Sequence, residues 1–219
     1  MKKFLIIVLS VAAILALIFV IVDEPIPEGK EGPEAEQLAD NILKSINKQA
    51  WDSLEVIEWT YPIGDHHYTW NKKEGVVEVS WDNIKVVIQP DDGTGEAFVG
   101  GELIDDDDLI NNAINYFNND SFWLIAPYKI KDPGTIRKVV DYEGSEALLV
   151  QFTSGGSTPG DSYLWIVDDN YRPVAWKFWA SIIPIGGMYF TWEGWKDING
   201  AQISTVHEGL MTIEISGLK

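Results

Sequence analysis

The sequence of 219 residues predicts an α+β domain in which a curved antiparallel β-sheet, a half-barrel, wraps around short helices. A transmembrane helix is predicted to precede this domain. Three observations lead to this fold class. An uncharged apolar run opens the chain, two segments carry the period of one-sided helices, and most of the remainder consists of short alternating stretches separated by turn residues.

The apolar run covers Phe4–Val22, nineteen residues without a charge. As a helix of about 28 Å it would cross the hydrocarbon part of a bilayer. The run has no small-x-small cleavage site at its end, so residues 1–22 are expected to be an uncleaved anchor rather than a signal peptide. Two lysines before the run and Asp23 and Glu24 after it predict a single-pass protein of the bacterial inner membrane whose domain faces the periplasm.

Residues 23–33 are rich in Pro, Gly and Glu and are predicted to form a short linker to a domain over residues 34–219. A helix is expected from Pro33, with acids in its first turn and Lys44 near its end. A second helix is expected after the four aspartates of residues 105–108. These aspartates could bind calcium, but the run lacks the pattern of a calcium loop, and acids at a helix start are favoured as caps.

Strands are expected wherever large apolar residues alternate with polar or smaller ones. These stretches lie around residues 59–61, 68–70, 77–81, 86–88, 148–152, 163–167, 176–178, 188–192, 203–207 and 211–215. Turn residues between them predict antiparallel hairpins.

The segment NDSFWLIAPYKIKDPGT, residues 119–135, is predicted to be a connection, because Pro127 and Pro133 oppose a helix. Long connections in compact domains are often functional. Two alternatives are open for Phe122 and Trp123. They plug one end of the core, or they close over an apolar cavity.

Apolar residues on both faces of the predicted strands favour the cavity, because two short helices cannot cover such a sheet entirely. Strand parity and the connection together select seven aromatic residues to line this cavity and bind a ligand. They are Trp123, Tyr163, Trp165, Trp176, Phe178, Phe190 and Trp192.

Four segments carry a resemblance to a known family: WDSLEVIEWTY at 51–61, HHYTW at 66–70, residues 119–135, and TPGDSYLWIVDDNYRPVAWKFW at 158–179. The layout resembles the lipoprotein-carrier (LolA/LolB-like) superfamily and is similar to bacterial envelope proteins. The resemblance covers about residues 34–216 and implies a half-barrel around helices that close a hydrophobic cavity. It also implies that the partner is a lipid or another hydrophobic small molecule.

The composition argues against other partners and against catalysis. The net charge of −18 repels phosphate backbones, so no nucleic-acid partner is predicted. The absence of cysteine excludes disulfides, thiol chemistry and Cys-based zinc sites. The Gly-rich residues 154–161 match neither a nucleophile elbow nor a phosphate-binding loop. A non-enzymatic protein without a cofactor is therefore expected.

The histidines, which are candidate metal ligands, are His66, His67 and His207. Neighbouring strand residues point to opposite faces, so His66 and His67 cannot bind one metal together. His67, His207 and a carboxylate such as Asp161 could meet in space. A hydrogen-bonded structural histidine is the more common case, and no metal site is predicted.

An alternative function is a carbohydrate- or protein-binding envelope module that uses exposed Trp and Tyr side chains. Trp176, Trp179, Trp192 and Trp195 cluster in the sequence, and such rings stack on sugars. A purely structural envelope protein is also open.

Overall fold

The computed structural model describes residues 23–154 and 159–219 of the protein. The predicted transmembrane helix at residues 1–22 lies outside this range. Within the described range, no helix has both the length and the apolar character needed to span a bilayer.

The first helix, α1 (Pro33–Ser45), begins and ends close to its predicted bounds. Pro33 stands in its first turn, where its missing N–H costs nothing, and Glu34 and Glu36 complement the positive end of the helix dipole. Its buried stripe, which includes Leu38 and Ile42, packs against the second sheet. A short helix that was not predicted, α2 (Lys48–Ser53), follows directly.

The first sheet is a six-stranded antiparallel meander in which each strand pairs with the next in the chain. Its strands are β1 (Val56–Tyr61), β2 (His66–Asn71), β3 (Val76–Trp81), β4 (Ile84–Gln89), β5 (Thr94–Val99) and β6 (Glu102–Ile104). Buried residues alternate with half-buried or exposed ones along most of β1 and β2, so one face covers the core. The predicted alternation and hairpins of this region are confirmed.

Helix α3 (Asp107–Ile125) begins where the aspartate run predicts. The Asp106 side chain accepts a hydrogen bond of 3.1 Å from the backbone N–H of Leu109, so the capping interpretation is confirmed. The connection predicted over residues 119–135 is wrong in its first part. Residues 119–125 form the last turns of α3, and Ala126–Lys129 form a 3-10 helix in which Pro127 stands at the start.

The second sheet is a five-stranded antiparallel meander that pairs in chain order. Its strands are β7 (Thr135–Tyr142), β8 (Ser145–Phe152), β9 (Ser162–Val167), β10 (Pro173–Trp179) and β11 (Met188–Thr191). Two small hairpins complete the described chain: β12 (Lys196–Ile198) with β13 (Ala201–Ile203), and β14 (Val206–Glu208) with β15 (Thr212–Glu214). The protein is therefore an α+β domain with antiparallel strands and few helices, as predicted. The single curved sheet that was expected is wrong, because the described strands divide between two main sheets and two hairpins. The sheets form no closed barrel among the described residues.

One large hydrophobic core joins α1, α3 and the inner faces of both sheets. A separate small cluster lies on the other face of the second sheet and includes Leu149, Leu164 and Trp179. Residues 23–30, which were predicted as linker, run along this outer face. Lys30 pairs with Val139 through two backbone hydrogen bonds of 2.9 Å. The segment is therefore attached to the domain.

Candidate functional site

All seven residues predicted to line a cavity lie in one aromatic cluster between the second sheet and α3. Strand pairing sets Trp176 beside Trp165 on one side and Phe190 on the other. From α3, the Trp123 ring reaches the rings of Trp176 and Phe190 at 5.2 and 4.9 Å. Tyr163, Phe178 and Trp192 complete the cluster through ring contacts with Trp176. The predicted strand parity therefore holds in these strands.

The seven side chains mainly contact one another. Trp165, Trp176 and Trp192 are each 1% exposed, and Trp123 is half-buried. Two surface depressions of about 380 and 420 Å³ occur elsewhere, and none of the seven residues lines them. The Trp123 ring packs edge-on against Trp176, a contact that is compatible with both alternatives for this residue.

The cavity was predicted because both faces of the strands are apolar. On the outer face of the second sheet, part of this apolar surface is covered by the chain itself. Trp179 lies there, and its indole N–H donates a 2.7 Å hydrogen bond to the backbone carbonyl of Glu24. Farther along, Gly29 lies so close to the sheet that an added Cβ would be 2.9 Å from Val140. Residues 23–30 therefore cover part of the apolar surface that the sequence left without a partner.

Two polar atoms of the aromatic cluster, the indole nitrogens of Trp176 and Trp192, have no hydrogen-bond partner within the described part of the chain. Buried polar atoms in proteins nearly always have a partner, which can be protein, water or a ligand. These atoms give an otherwise apolar cluster the capacity to hold a polar group.

His207 is fully buried beside Trp192, with 4.4 Å between the ring centroids. Its Nδ1 atom lies 3.0 Å from the backbone carbonyl of Thr191, so Nδ1 carries the proton and donates. Burial lowers the pKa of His207 to about 4, although the backbone carbonyls of Thr191 and Trp123 favour the protonated ring. The ring is therefore neutral at pH 7.

The aromatic cluster reaches the surface at one end, where Phe122, Trp123 and Met188 are half-buried. The loop of residues 180–187, between β10 and β11, borders this end. The turn of residues 209–211 borders it too, because His207 lies beside Thr191 and an added Cβ on Gly209 would touch Tyr189. Each of these segments exposes large apolar side chains: Ile182 at 77%, Leu210 at 83% and Met211 at 51%. We call these three residues the apolar rim.

A buried polar cluster that the sequence did not predict connects α3 with the first sheet. Asp120, 2% exposed, accepts hydrogen bonds from His66 Nδ1 at 2.7 Å and from the Tyr68 hydroxyl at 2.6 Å. Its other oxygen accepts a 2.8 Å hydrogen bond from Asn119. Burial raises the pKa of Asp120 above its ordinary value, although these hydrogen bonds oppose the shift. Because both carboxylate oxygens are bonded inside the fold, the cluster serves as a structural link.

The helical spacing of the sequence indicates that Asp120 is buried. Asp120 stands three residues after Phe117 and four before Leu124, on the buried stripe of α3. If the predicted helix had been extended to residue 125, the Asp120 carboxylate would have been expected inside the protein, together with a buried hydrogen-bond partner.

The three histidines occupy separate environments. His66 is buried while the next residue, His67, is exposed and bonded to Thr60, so their predicted opposite orientation is confirmed. Asp161 accepts hydrogen bonds from Ser181 and Tyr163 beside the second sheet. In residues 23–154 and 159–219, no three His, Cys, Asp or Glu side chains are grouped in a way that could hold a metal ion.

The tryptophans considered for sugar stacking are mostly inside the protein. Trp176 and Trp192 are 1% exposed and Trp179 is 9% exposed, so their faces are not available to a flat ring. Trp195 is half-buried, and the guanidinium of Arg172 lies 5.6 Å from its ring centre.

Comparisons with family models and with curated proteins return no match to this chain. The resemblance to the lipoprotein-carrier superfamily therefore rests on layout alone.

Proposed function

We propose that this protein is a membrane-anchored periplasmic domain that binds a lipid or another hydrophobic small molecule without catalysing a reaction. In this proposal the two sheets act as one curved half-barrel around α3, of the lipoprotein-carrier type. The ligand binds at the surface-reaching end of the aromatic cluster, between the loop of residues 180–187 and the turn of residues 209–211.

The observation that carries the proposal is the coincidence of an apolar rim with the half-buried end of the aromatic cluster. A single exposed Leu or Ile is common on a protein surface, whereas here both segments that border the cluster expose large apolar side chains. Burial of apolar surface yields about 25 cal/mol per Å². Ile182, Leu210 and Met211 would each gain from contact with an acyl chain.

The unpaired polar atoms support a ligand with a polar group. The indole N–H groups of Trp176 and Trp192 can donate to an ester or carboxyl oxygen of a ligand. Pairing these atoms would remove the cost of burying them without a partner, about 1–3 kcal/mol for each. A fatty acid or glyceride therefore fits better than a plain hydrocarbon.

Access to the cluster requires Trp123 to move. Its ring contacts Trp176 and Phe190 edge-on, and it is half-buried whereas the other six rings of the predicted set are buried. We expect an acyl chain to take the position of this ring, which then covers the ligand.

Photo-crosslinking tests the proposal. The full chain is placed in lipid nanodiscs, a photoactivatable fatty acid is added, and labelled peptides are mapped by mass spectrometry. Labelling should concentrate on residues 119–130 and on the segment around β10 and β11. Labelling confined to residues 1–22, or a tryptophan fluorescence response to oligosaccharides alone, would contradict lipid binding at this site.

Two variants sharpen the crosslinking experiment. Trp123→Asp puts a charge where the acyl chain should lie, and the half-buried position leaves that charge partly hydrated. Phe98→Asp makes the same change at a half-buried aromatic residue of the first sheet. Labelling should fall at least several-fold in the first variant and stay at the wild-type level in the second. Equal labelling in both variants would show that Trp123 does not contact the ligand.

A further inference from the structure

We infer that residues 23–30 are a strap that holds the apolar rim against the membrane in which the chain is anchored, so that the binding site faces the bilayer. This inference rests on the anchored domain of the proposed function and adds its orientation. The occupant of the rim is the surface of a lipid bilayer with zwitterionic head groups.

The strap is fixed to the loop that carries the rim residue Ile182. The backbone N–H of Gly186 donates a 2.8 Å hydrogen bond to the Asp23 carboxylate, and the backbone N–H of Glu24 donates a 3.3 Å bond to the Gly186 carbonyl. The Glu24 carboxylate pairs with Lys177 at 2.7 Å. The first two described residues are therefore held beside residues 180–187.

Two glycines allow this close approach. A Cβ atom on Gly186 would lie 2.7 Å from the Glu24 carbonyl oxygen, and one on Gly187 would lie 2.7 Å from the Glu24 Cβ atom. Gly187 also has a φ of +75°, which disfavours other residues. The local sequence thus permits contact between the strap and the loop at a separation that side chains would prevent.

The same strap continues directly from the apolar run of the sequence. Val22 is the last residue of that run, and one peptide unit of about 3.8 Å separates its Cα atom from that of Asp23. Because Asp23 is bonded to Gly186, an anchor over residues 4–22 would leave the bilayer within a few ångströms of the loop. The other end of the strap, at Lys30, is fixed to β7, so the domain cannot turn freely about this point.

The orientation brings the rim to the lipid. Ile182 belongs to the attached loop, and Leu210 and Met211 lie in the turn at the same end of the sheet. All three are exposed apolar side chains, which gain free energy when they leave water. The half-buried end of the aromatic cluster lies behind them, so an acyl chain would reach it without crossing water.

The negative charge of the protein favours contact with a zwitterionic bilayer over an anionic one. Without Lys2 and Lys3 the chain has 14 basic and 34 acidic residues. Asp23, Glu24 and Glu208 stand near the rim, and anionic head groups would be repelled. Contact through apolar side chains is therefore favoured on zwitterionic lipid.

A single labelled cysteine measures this contact, because the wild-type chain has no cysteine. Ile182→Cys carries an environment-sensitive fluorophore in full-length protein in phosphatidylcholine nanodiscs, with nitroxide-labelled lipids as quenchers. Leu103→Cys is the matched control, since Leu103 is 63% exposed and lies on β6 of the other sheet. We expect a blue shift and strong quenching at residue 182 and a water-like signal at residue 103. A water-like signal at residue 182 would overturn the inference.

Two further measurements distinguish the orienting effect of the strap from membrane contact by the apolar rim and from fatty-acid binding. An insertion of about 12 Gly and Ser residues after Val22 gives the domain a free reach of roughly 20 Å. Quenching at residue 182 should then fall several-fold, and unchanged quenching would show that the strap does not orient the domain. Quenching at residue 182 without fatty-acid crosslinking would support the orientation and contradict the proposed function. Crosslinking without quenching would support the proposed function and contradict the orientation.

Discussion

Acidification from pH 7 to pH 5 should destabilise this protein through His207. In the unfolded chain the imidazole binds a proton near its ordinary pKa of 6.5, whereas in the folded state burial lowers the pKa to about 4. Between these two values the unfolded state holds more protons than the folded state, so stability falls as the pH falls. Stability from this group is complete above about pH 6.5 and is progressively lost toward pH 4.

The magnitude follows from the difference between the two pKa values. Each pH unit within the window costs about 1.4 kcal/mol, so lowering the pH from 7 to 5 should remove about 2 kcal/mol from the free energy of unfolding. This pH range also stays above the isoelectric point of about 4.3, where solubility is lowest. Urea unfolding followed by tryptophan fluorescence at pH 5, 6 and 7 measures the change.

The His207→Gln variant isolates the contribution of the imidazole from other titrating groups, which are common to both proteins. Glutamine keeps a donor for the Thr191 carbonyl but does not titrate. The difference in unfolding free energy between wild type and variant should shrink or change sign on acidification, by about 2 kcal/mol from pH 7 to pH 5. Parallel pH profiles for the two proteins would refute the assignment of a buried neutral histidine.

Two further predictions concern the polar cluster of the first sheet. Tyr68→Phe removes a hydrogen bond to the buried carboxylate of α3 and should cost about 2 kcal/mol in urea unfolding, whereas Tyr171→Phe at an exposed ring should cost almost nothing. Equal costs would mean that this hydrogen bond does not stabilise the fold. Gly64→Ala should lower the melting temperature more than Gly75→Ala, by the equivalent of about 1–3 kcal/mol. Both glycines have positive φ, but only at Gly64 would a Cβ lie 2.4 Å from His66 Nε2, so equal shifts would contradict the predicted clash.

Local chemistry in the sequence determined most of the elements. The acids before α3 cap it because Asp106 can bond to the N–H of Leu109 wherever the rest of the protein lies. Alternation along β9 and β10 placed Tyr163, Trp165 and Trp176 on one face because the side-chain period of a strand is fixed at two. These features depend on neighbours in the chain, so one sequence suffices to predict them.

The tertiary structure decided where α3 ends. Asn119, Asp120 and Ser121 favour a helix end locally, because their side chains compete for backbone hydrogen bonds. In the folded protein the Asp120 carboxylate is bound instead by His66 and Tyr68, which lie more than 50 positions earlier in the chain. Helix α3 therefore continues through a segment that the sequence predicts as a connection.

The tertiary structure also decided what covers the apolar surface of the second sheet. The sequence showed that both faces of β9 and β10 are apolar, and it showed Pro, Gly and Glu in residues 23–33. It could not show that Glu24 lies against Trp179, because that contact joins positions 155 apart and depends on two glycines that let the backbones meet. Composition and periodicity thus determined the starts of the two longer helices, most strands and their buried faces, whereas long-range contacts determined where α3 ends and how those faces are filled.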